Sequence, residues 1–173
     1  NIIDRFDNLY DSLGNRVRTK LRGAASELFA EAHRGNNPVA DTMSIGEELS
    51  ARYFSERTGI RYVPSDWVRF SPTGRIQRGA SVETLSRLLR QVGSTEKVIT
   101  PGYFGYDDFG RRHLLPRGGS DRSGALAALA LADLYGDNAV LYENWTDVDG
   151  IYSADPRFVE GTVLLRAMTR REG

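Results

Sequence analysis

Between residues 15 and 32 the apolar side chains Val17, Leu21, Ala24, Ala25, Leu28, Phe29 and Ala32 recur at steps of three and four. One buried helical stripe requires that spacing, and Gly35-Asn36-Asn37-Pro38 supplies the stop. A second helix is predicted over residues 45–58, with Ile45, Leu49, Tyr53 and Phe54 inward and Gly59 placed to end it. Short β-rich pieces follow at 61–63 and 67–70, and the turn Ser71-Pro72-Thr73-Gly74 separates the second from residues 75–77. Next come a helix over 82–91, a strand over 97–100, and a hairpin over 103–115 with Asp107-Asp108-Phe109-Gly110 at its tip. Residues 120–135 are rich in alanine and leucine and read as a helix that packs closely against a sheet. A buried-type strand over 139–142, an irregular segment over 144–157 and a strand over 162–165 complete the pattern. Strands alternating with helices predict an α/β layered fold with a mostly parallel sheet. There is no internal repeat, low-complexity tract or linker.

Composition narrows the function classes. The 173 residues suit one domain. Basic and acidic residues number 23 each, and the longest basic runs are the pairs Arg111-Arg112 and Arg170-Arg171, so no nucleic-acid partner is expected. A 40% hydrophobic fraction is too rich for disorder. The longest apolar run falls well short of the ~20 residues of a membrane span, so no membrane partner is expected either. Zero cysteines exclude disulfides, thiolate catalysis and Cys-ligated metals, and fit a cytoplasmic protein. The opening Asn1-Ile2-Ile3-Asp4-Arg5 turns polar at once, unlike a signal peptide, and the missing initiator methionine suits a stretch of a longer protein. Only Lys20 and Lys97 are lysines, against 21 arginines. Arginine, planar and always charged, could take over recognition of carboxylates or phosphates.

Three stretches carry candidate chemistry. Arg117-Gly118-Gly119-Ser120-Asp121 puts a glycine pair directly before a helix. That is either a phosphate cradle, with glycine amides and helix N-terminus facing an anion, or a turn ahead of an ordinary N-cap at Ser120 or Asp121. It is not a P-loop, because Gly-Lys-Ser/Thr is absent, and no dinucleotide fingerprint occurs. Residues 145–157 place three carboxylates, an aromatic and an arginine after a strand, which suits either a ligand loop or a solvated acidic turn. Their spacing is not that of an EF-hand. Gly46-Glu47-Glu48, at a predicted helix start, would complement the helix dipole. The kinase-like Asp108-Phe109-Gly110 has no His-Arg-Asp to accompany it, and His33 and His113 have no spaced metal partner or Gly-x-Ser-x-Gly elbow, so both read as surface or hairpin residues.

Taken in order, Val98-Ile99-Thr100-Pro101-Gly102-Tyr103-Phe104-Gly105, then residues 117–121, then 145–157, resemble the aspartate kinases of the amino-acid kinase superfamily. Weaker agreement through Ser44-Ile45-Gly46-Glu47 and the two early helices extends the resemblance over nearly the whole chain. It implies a three-layer αβα sandwich of the carbamate kinase-like type, incomplete at its N-terminal lobe. The implied activity is phosphorylation of the side-chain carboxylate of L-aspartate by ATP and Mg2+, giving 4-phospho-L-aspartate, the first step towards lysine, threonine and methionine. Residues 1–173 would form a partial catalytic domain, with 1–95 on the substrate side, 96–173 on the nucleotide side, and no regulatory domain.

By the same resemblance Glu47 would bind the amino group of aspartate and Arg117 a substrate carboxylate, with Ser120 nearby. Asp121 would organise the cationic groups around the transferred phosphoryl, and Gly118 and Gly119 would offer it their amides. Thr146, Asp147, Tyr152, Asp155 and Arg157 would line the nucleotide pocket; no metal-ligating side chain is assigned, and a homo-oligomer is compatible with the family. The departures are specific. The family's opening Lys-Phe-Gly-Gly-Thr-Ser and its second phosphate-binding lysine are missing, Pro116 replaces a usual glycine, and Gly124 stands where alanine is common. An inactive fragment is the expectation that follows. The rival readings are a kinase for glutamate, acetylglutamate or a nucleotide, and a catalytically dead binding or scaffold module of the same fold.

Overall fold

The structure is a computed structural model that describes residues 14–35, 37–93, 96–145 and 149–167. Helix α1, Asn15–Arg34, forms on the expected stripe, with Leu21, Ala25, Leu28 and Ala32 buried. Its partner α2, Pro38–Thr58, sets Ile45 and Leu49 against Ala25, Leu28 and Ala32. This second helix begins at Pro38 rather than at residue 45. Pro38 does not simply stop α1: it sits at the start of α2, where its missing N–H costs nothing, and the Asn37 side chain accepts from the Ala40 amide at 3.5 Å. Gly46, Glu47 and Glu48 therefore lie in mid-helix, and Asp41 is the acidic residue of the first turn. The helix-dipole account of the glutamate pair fails for that reason. Phe54, expected inward, is 53% exposed, because Tyr53 beside it takes the place against Leu21. Gly59 ends α2 as expected, with φ +71° and its amide on the Ser55 carbonyl.

Strand β1, Arg61–Tyr62, pairs in parallel with β2, Val98–Ile99, in the register Arg61↔Val98 and Tyr62↔Ile99. Of the strand expected at 67–70, Trp67 belongs to a 3-10 turn, Ser65–Trp67, and Arg69 and Phe70 make isolated bridges to Tyr106 and Ile76. Helix α3 spans Arg78–Val92. The predicted hairpin forms from β3, Phe104–Tyr106, and β4, Arg112–Leu114, with Gly105 opposite His113. Helix α4, Gly119–Tyr135, follows. A core of Val63, Trp67, Val68, Phe70, Leu85, Leu115, Leu126 and Ala130 joins α3 and α4 to the extended segments, while α2 packs on β1, β2 and β4. The α/β class holds, but in place of the expected mostly parallel sheet the described residues form one parallel and one antiparallel pair.

Contacts divide the chain at Tyr142, with Glu143 onward forming a second unit. The buried strand expected at 139–142 does not form. Asp137–Ala139 is a 3-10 turn, Val140 is extended without a ladder partner among the described residues, and Leu141 is 82% exposed. Extended backbone becomes a strand only when another strand accepts its hydrogen bonds. In the second unit the strand expected at 162–165 is reduced to the bridge Tyr152↔Leu164, flanked by bonds from the Ser153 amide to Val163 and the Leu165 amide to Ile151. Among the described residues no helix is long and apolar enough to cross a membrane.

Candidate active site

The glycine pair lies where β2, the hairpin and α4 meet. Gly118 is the N-cap of α4 with φ +76°, a left-handed conformation that strains any residue with a Cβ. Gly119 is buried, and a Cβ added there would lie 2.7 Å from Leu115 Cβ and 2.8 Å from Tyr103 Cδ2. Neither Ser120 nor Asp121 is the N-cap, and among the described residues no side chain caps the helix. The amides of the first turn thus lack a side-chain cap among the described residues, a state that favours an anion at the dipole end. Ser120 is exposed; its carbonyl receives the Ser123 hydroxyl at 2.8 Å. The exposed Asp121 turns its carboxylate back over Gly118, and Arg117 is exposed beside them.

Geometry adds Tyr103, which sequence reasoning placed only in a motif. It is the one non-glycine residue with positive φ among those described, at +76°. Its carbonyl accepts from the Leu115 amide at 2.7 Å, and its amide points to Ser123 Oγ at 3.4 Å. An aromatic residue held in a left-handed conformation costs on the order of 1–3 kcal/mol, and such strain clusters at ligand sites. Its ring is what lies against Gly119, so the loop after β2 and the start of α4 are built as one piece.

On α2, Glu47 is exposed as a residue, and desolvation of its carboxyl raises its affinity for a proton above the ordinary value. Its neighbour Glu48 is buried. Glu48 accepts from Arg52 Nε at 3.0 Å and from the Tyr62 hydroxyl, fastening α2 to β1. Burial first, then the hydrogen bond to Glu48, pushes the Tyr62 hydroxyl well above its usual range. The i, i+4 spacing of Glu48 and Arg52 was the sequence signal for this pin. At the hairpin tip Asp107 is buried and accepts from the Phe109 and Arg111 amides, Arg111 Nε and His113 Nε2, all within 3.0 Å. Burial opposes its ionisation, but the bonds from His113 and Arg111 prevail and hold it well below the usual carboxylate range. His113, stacked on Phe70, is a hairpin residue as expected; His33 is exposed and bonds the Phe29 carbonyl.

In the second unit Tyr152 is half-buried, and its hydroxyl points to Asp149 at 3.4 Å. Asp155 accepts from the Arg157 amide at 2.9 Å and from its guanidinium at 2.8 Å, which lowers its proton affinity. Tyr152, Asp155 and Arg157 thus share one loop, while Thr146 and Asp147 lie outside the described residues. No cluster of three or more His, Asp or Glu among the described residues could hold a metal ion.

Comparison with known proteins gives one consistent result. Residues 5–173 match the sequence profile of the amino acid kinase family. The chain is 39% identical over 170 residues to aspartokinase 3 of Bacillus subtilis, covering 92% of this chain and 36% of that protein. It is 48% identical over 133 residues to the lysine-sensitive aspartokinase 3 of Escherichia coli, covering 69% of this chain and 27% of that one. Among solved structures, Clostridium acetobutylicum aspartate kinase superposes with a TM-score of 0.71 at 26% identity, over 93% of this chain and 35% of the other. E. coli aspartokinase III in complex with aspartate and ADP gives 0.67 at 28%, over 94% and 40%. The chain thus spans between 27% and 40% of the length of these relatives.

Proposed function

The chain belongs to the amino acid kinase family and has its α/β fold, and on that premise we propose that it is part of the catalytic domain of an ATP-dependent aspartate kinase. The observation that carries this reading is the start of α4. A helix start without a side-chain cap among the described residues, a left-handed Gly118 and the strained Tyr103 support an anion cradle in the stretch that also carries Arg117 and Asp121. A relative of the same fold binds aspartate and ADP.

In this reading the amides of Gly118 and Gly119 face the phosphoryl oxygens, Arg117 grips a carboxylate of aspartate with Ser120 nearby, and Glu47 takes its ammonium. Asp121 orients the cationic groups around the transferred phosphoryl. Phosphoryl transfer needs little covalent help, so such positioning and charge neutralisation carry the rate. Thr146, Asp147, Tyr152, Asp155 and Arg157 would serve the nucleotide, Arg157 exchanging its bond to Asp155 for one to ligand. Mg2+ fits as a companion of the nucleotide, since it commonly takes phosphate oxygens with one or two carboxylates. Residues 1–95 form the substrate side and 96–173 the nucleotide side of a cytoplasmic enzyme.

Calorimetric titration tests the reading. The chain should bind Mg-ADP, more tightly in the presence of L-aspartate than of L-glutamate, and Arg117→Gln should remove the aspartate effect. Mg-ADP binding without preference between the two amino acids would favour a different kinase of the family, and no binding to the folded chain would remove the assignment.

A further inference from the structure

A second polar site lies in the first unit, built around a buried cation. A cleft of about 290 Å3 opens where the end of α1, the first turn of α2 and the β3–β4 hairpin meet, lined by Glu31, Arg34, Gly35, Asp41, Arg111 and Arg112 among others. None of residues 117–121 lines it. Arg112 is only 8% exposed, and its Nη1 and Nη2 donate to the Ser44 hydroxyl at 2.6 Å and the Tyr106 hydroxyl at 2.5 Å. Both acceptors are neutral. The guanidinium also lies over the rings of Phe104 and Tyr106, at 4.7 and 5.2 Å from their centroids.

The hydrogen bonding of Arg112 is incomplete. Its Nε is buried and has no hydrogen bond among the described residues, and Asp41 Oδ1 stops 3.6 Å short of it. Asp41 instead turns its other oxygen towards Gly35, to 2.0 Å from where a Cβ would stand. Asp41 supplies charge but not the bond, and a buried guanidinium left in that state is costly. An oxyanion repairs the deficit best, because a planar guanidinium bonds carboxylate or phosphate oxygens with short, charge-assisted contacts. A second cation is at hand: Arg34 is exposed, bonds Ala30 through Nε, and leaves its terminal nitrogens without a partner among the described residues. Arg111, by contrast, is committed to Asp107 and the Pro72 carbonyl.

We propose that this cleft binds a small oxyanion, a carboxylate or phosphate group, held by Arg112 and Arg34 in competition with the internal carboxylate of Asp41. The site is separate from the one assigned to aspartate and nucleotide. The test is titration of the whole chain with sodium phosphate and, separately, sodium acetate, with chloride holding ionic strength constant. Saturable binding is expected, with the tighter anion naming the ligand's group. Arg34→Gln should weaken it about tenfold, the loss of one charge-assisted contact, and Asp41→Asn should tighten it severalfold. Arg117→Gln should leave the Arg34-dependent binding unchanged, whatever it does to anion binding at the start of α4, and Mg-ADP binding should survive Arg34→Gln, so this site and the kinase reading can fail independently. Absence of saturable binding by either anion overturns the proposal. So does binding that Arg117→Gln abolishes and Arg34→Gln leaves intact, which would place the anion at the start of α4. Arg34 is varied rather than Arg112 because it is exposed, whereas Arg112 is buried and bonded to Ser44 and Tyr106.

Discussion

At the scale of single residues, what decides the site is room and ionisation. Gly119 has no space for a side chain, so Gly119→Val forces Tyr103 and Leu115 apart. We expect a cost of about 1–3 kcal/mol, typical of overpacking, read as a lower urea midpoint, together with loss of Mg-ADP binding. Asp107 gives a pH signature. Its folded-state affinity for protons is depressed, so the stability it contributes is present above the unfolded aspartate value of about 3.9 and is lost as pH falls towards the folded value. Melting temperatures between pH 6 and pH 2, chosen to span that range, should fall more steeply for the natural chain than for Asp107→Asn. Parallel profiles would show that Asp107 contributes no such linkage.

At the scale of elements, helix starts and faces carry the argument. Asn37 caps α2 through Oδ1 and also donates through Nδ2 to the Arg112 carbonyl at 3.0 Å, so it joins the helix to the hairpin. Asn37→Ala should cost about 0.5–2 kcal/mol, as cap removal does, seen in chemical denaturation. Helix α4 is buried along Leu126 and Ala130, with Ala127 packed on the same core and Ala128 half-buried. Ala130→Phe should therefore overpack by about 1–3 kcal/mol, whereas the exposed Ala125 should accept serine within about 0.5 kcal/mol. Equal melting temperatures for these two variants would contradict the orientation of the helix.

At the scale of the whole molecule, binding and turnover come apart. Phosphoryl transfer depends on cations around the migrating group, and removing one such contact typically costs about 3–4 kcal/mol of transition-state stabilisation. Of the two lysines, Lys20 forms an ion pair with Glu56 between α1 and α2, and Lys97 is exposed beside β2. We therefore expect residues 1–173, assayed alone, to bind Mg-ADP yet release ADP with aspartate at no more than the background rate. Aspartate-dependent turnover above a no-enzyme control would show that arginines replace the lysines.

Much of this was legible in the chain itself. The stripe from Val17 to Ala32, the turn signals around Gly59 and residues 107–110, and the alanine-leucine run after residue 119 encode local structure, because periodicity and backbone permissiveness act within a few residues. The motif at 117–121 likewise announced a glycine-led helix. Other features could be fixed only by tertiary structure. Whether Pro38 stops one helix or starts the next depended on what Asn37 and Arg112 bond across the fold. Whether residues 139–142 form a strand depended on a partner strand, and a sequence window cannot supply one. Which glutamate of the pair is buried was decided by Tyr62, far from it in sequence, and the strain of Tyr103 by the helix packed against it. Burial and hydrogen-bond partners are properties of distant segments brought together, so they appear only once the chain has folded.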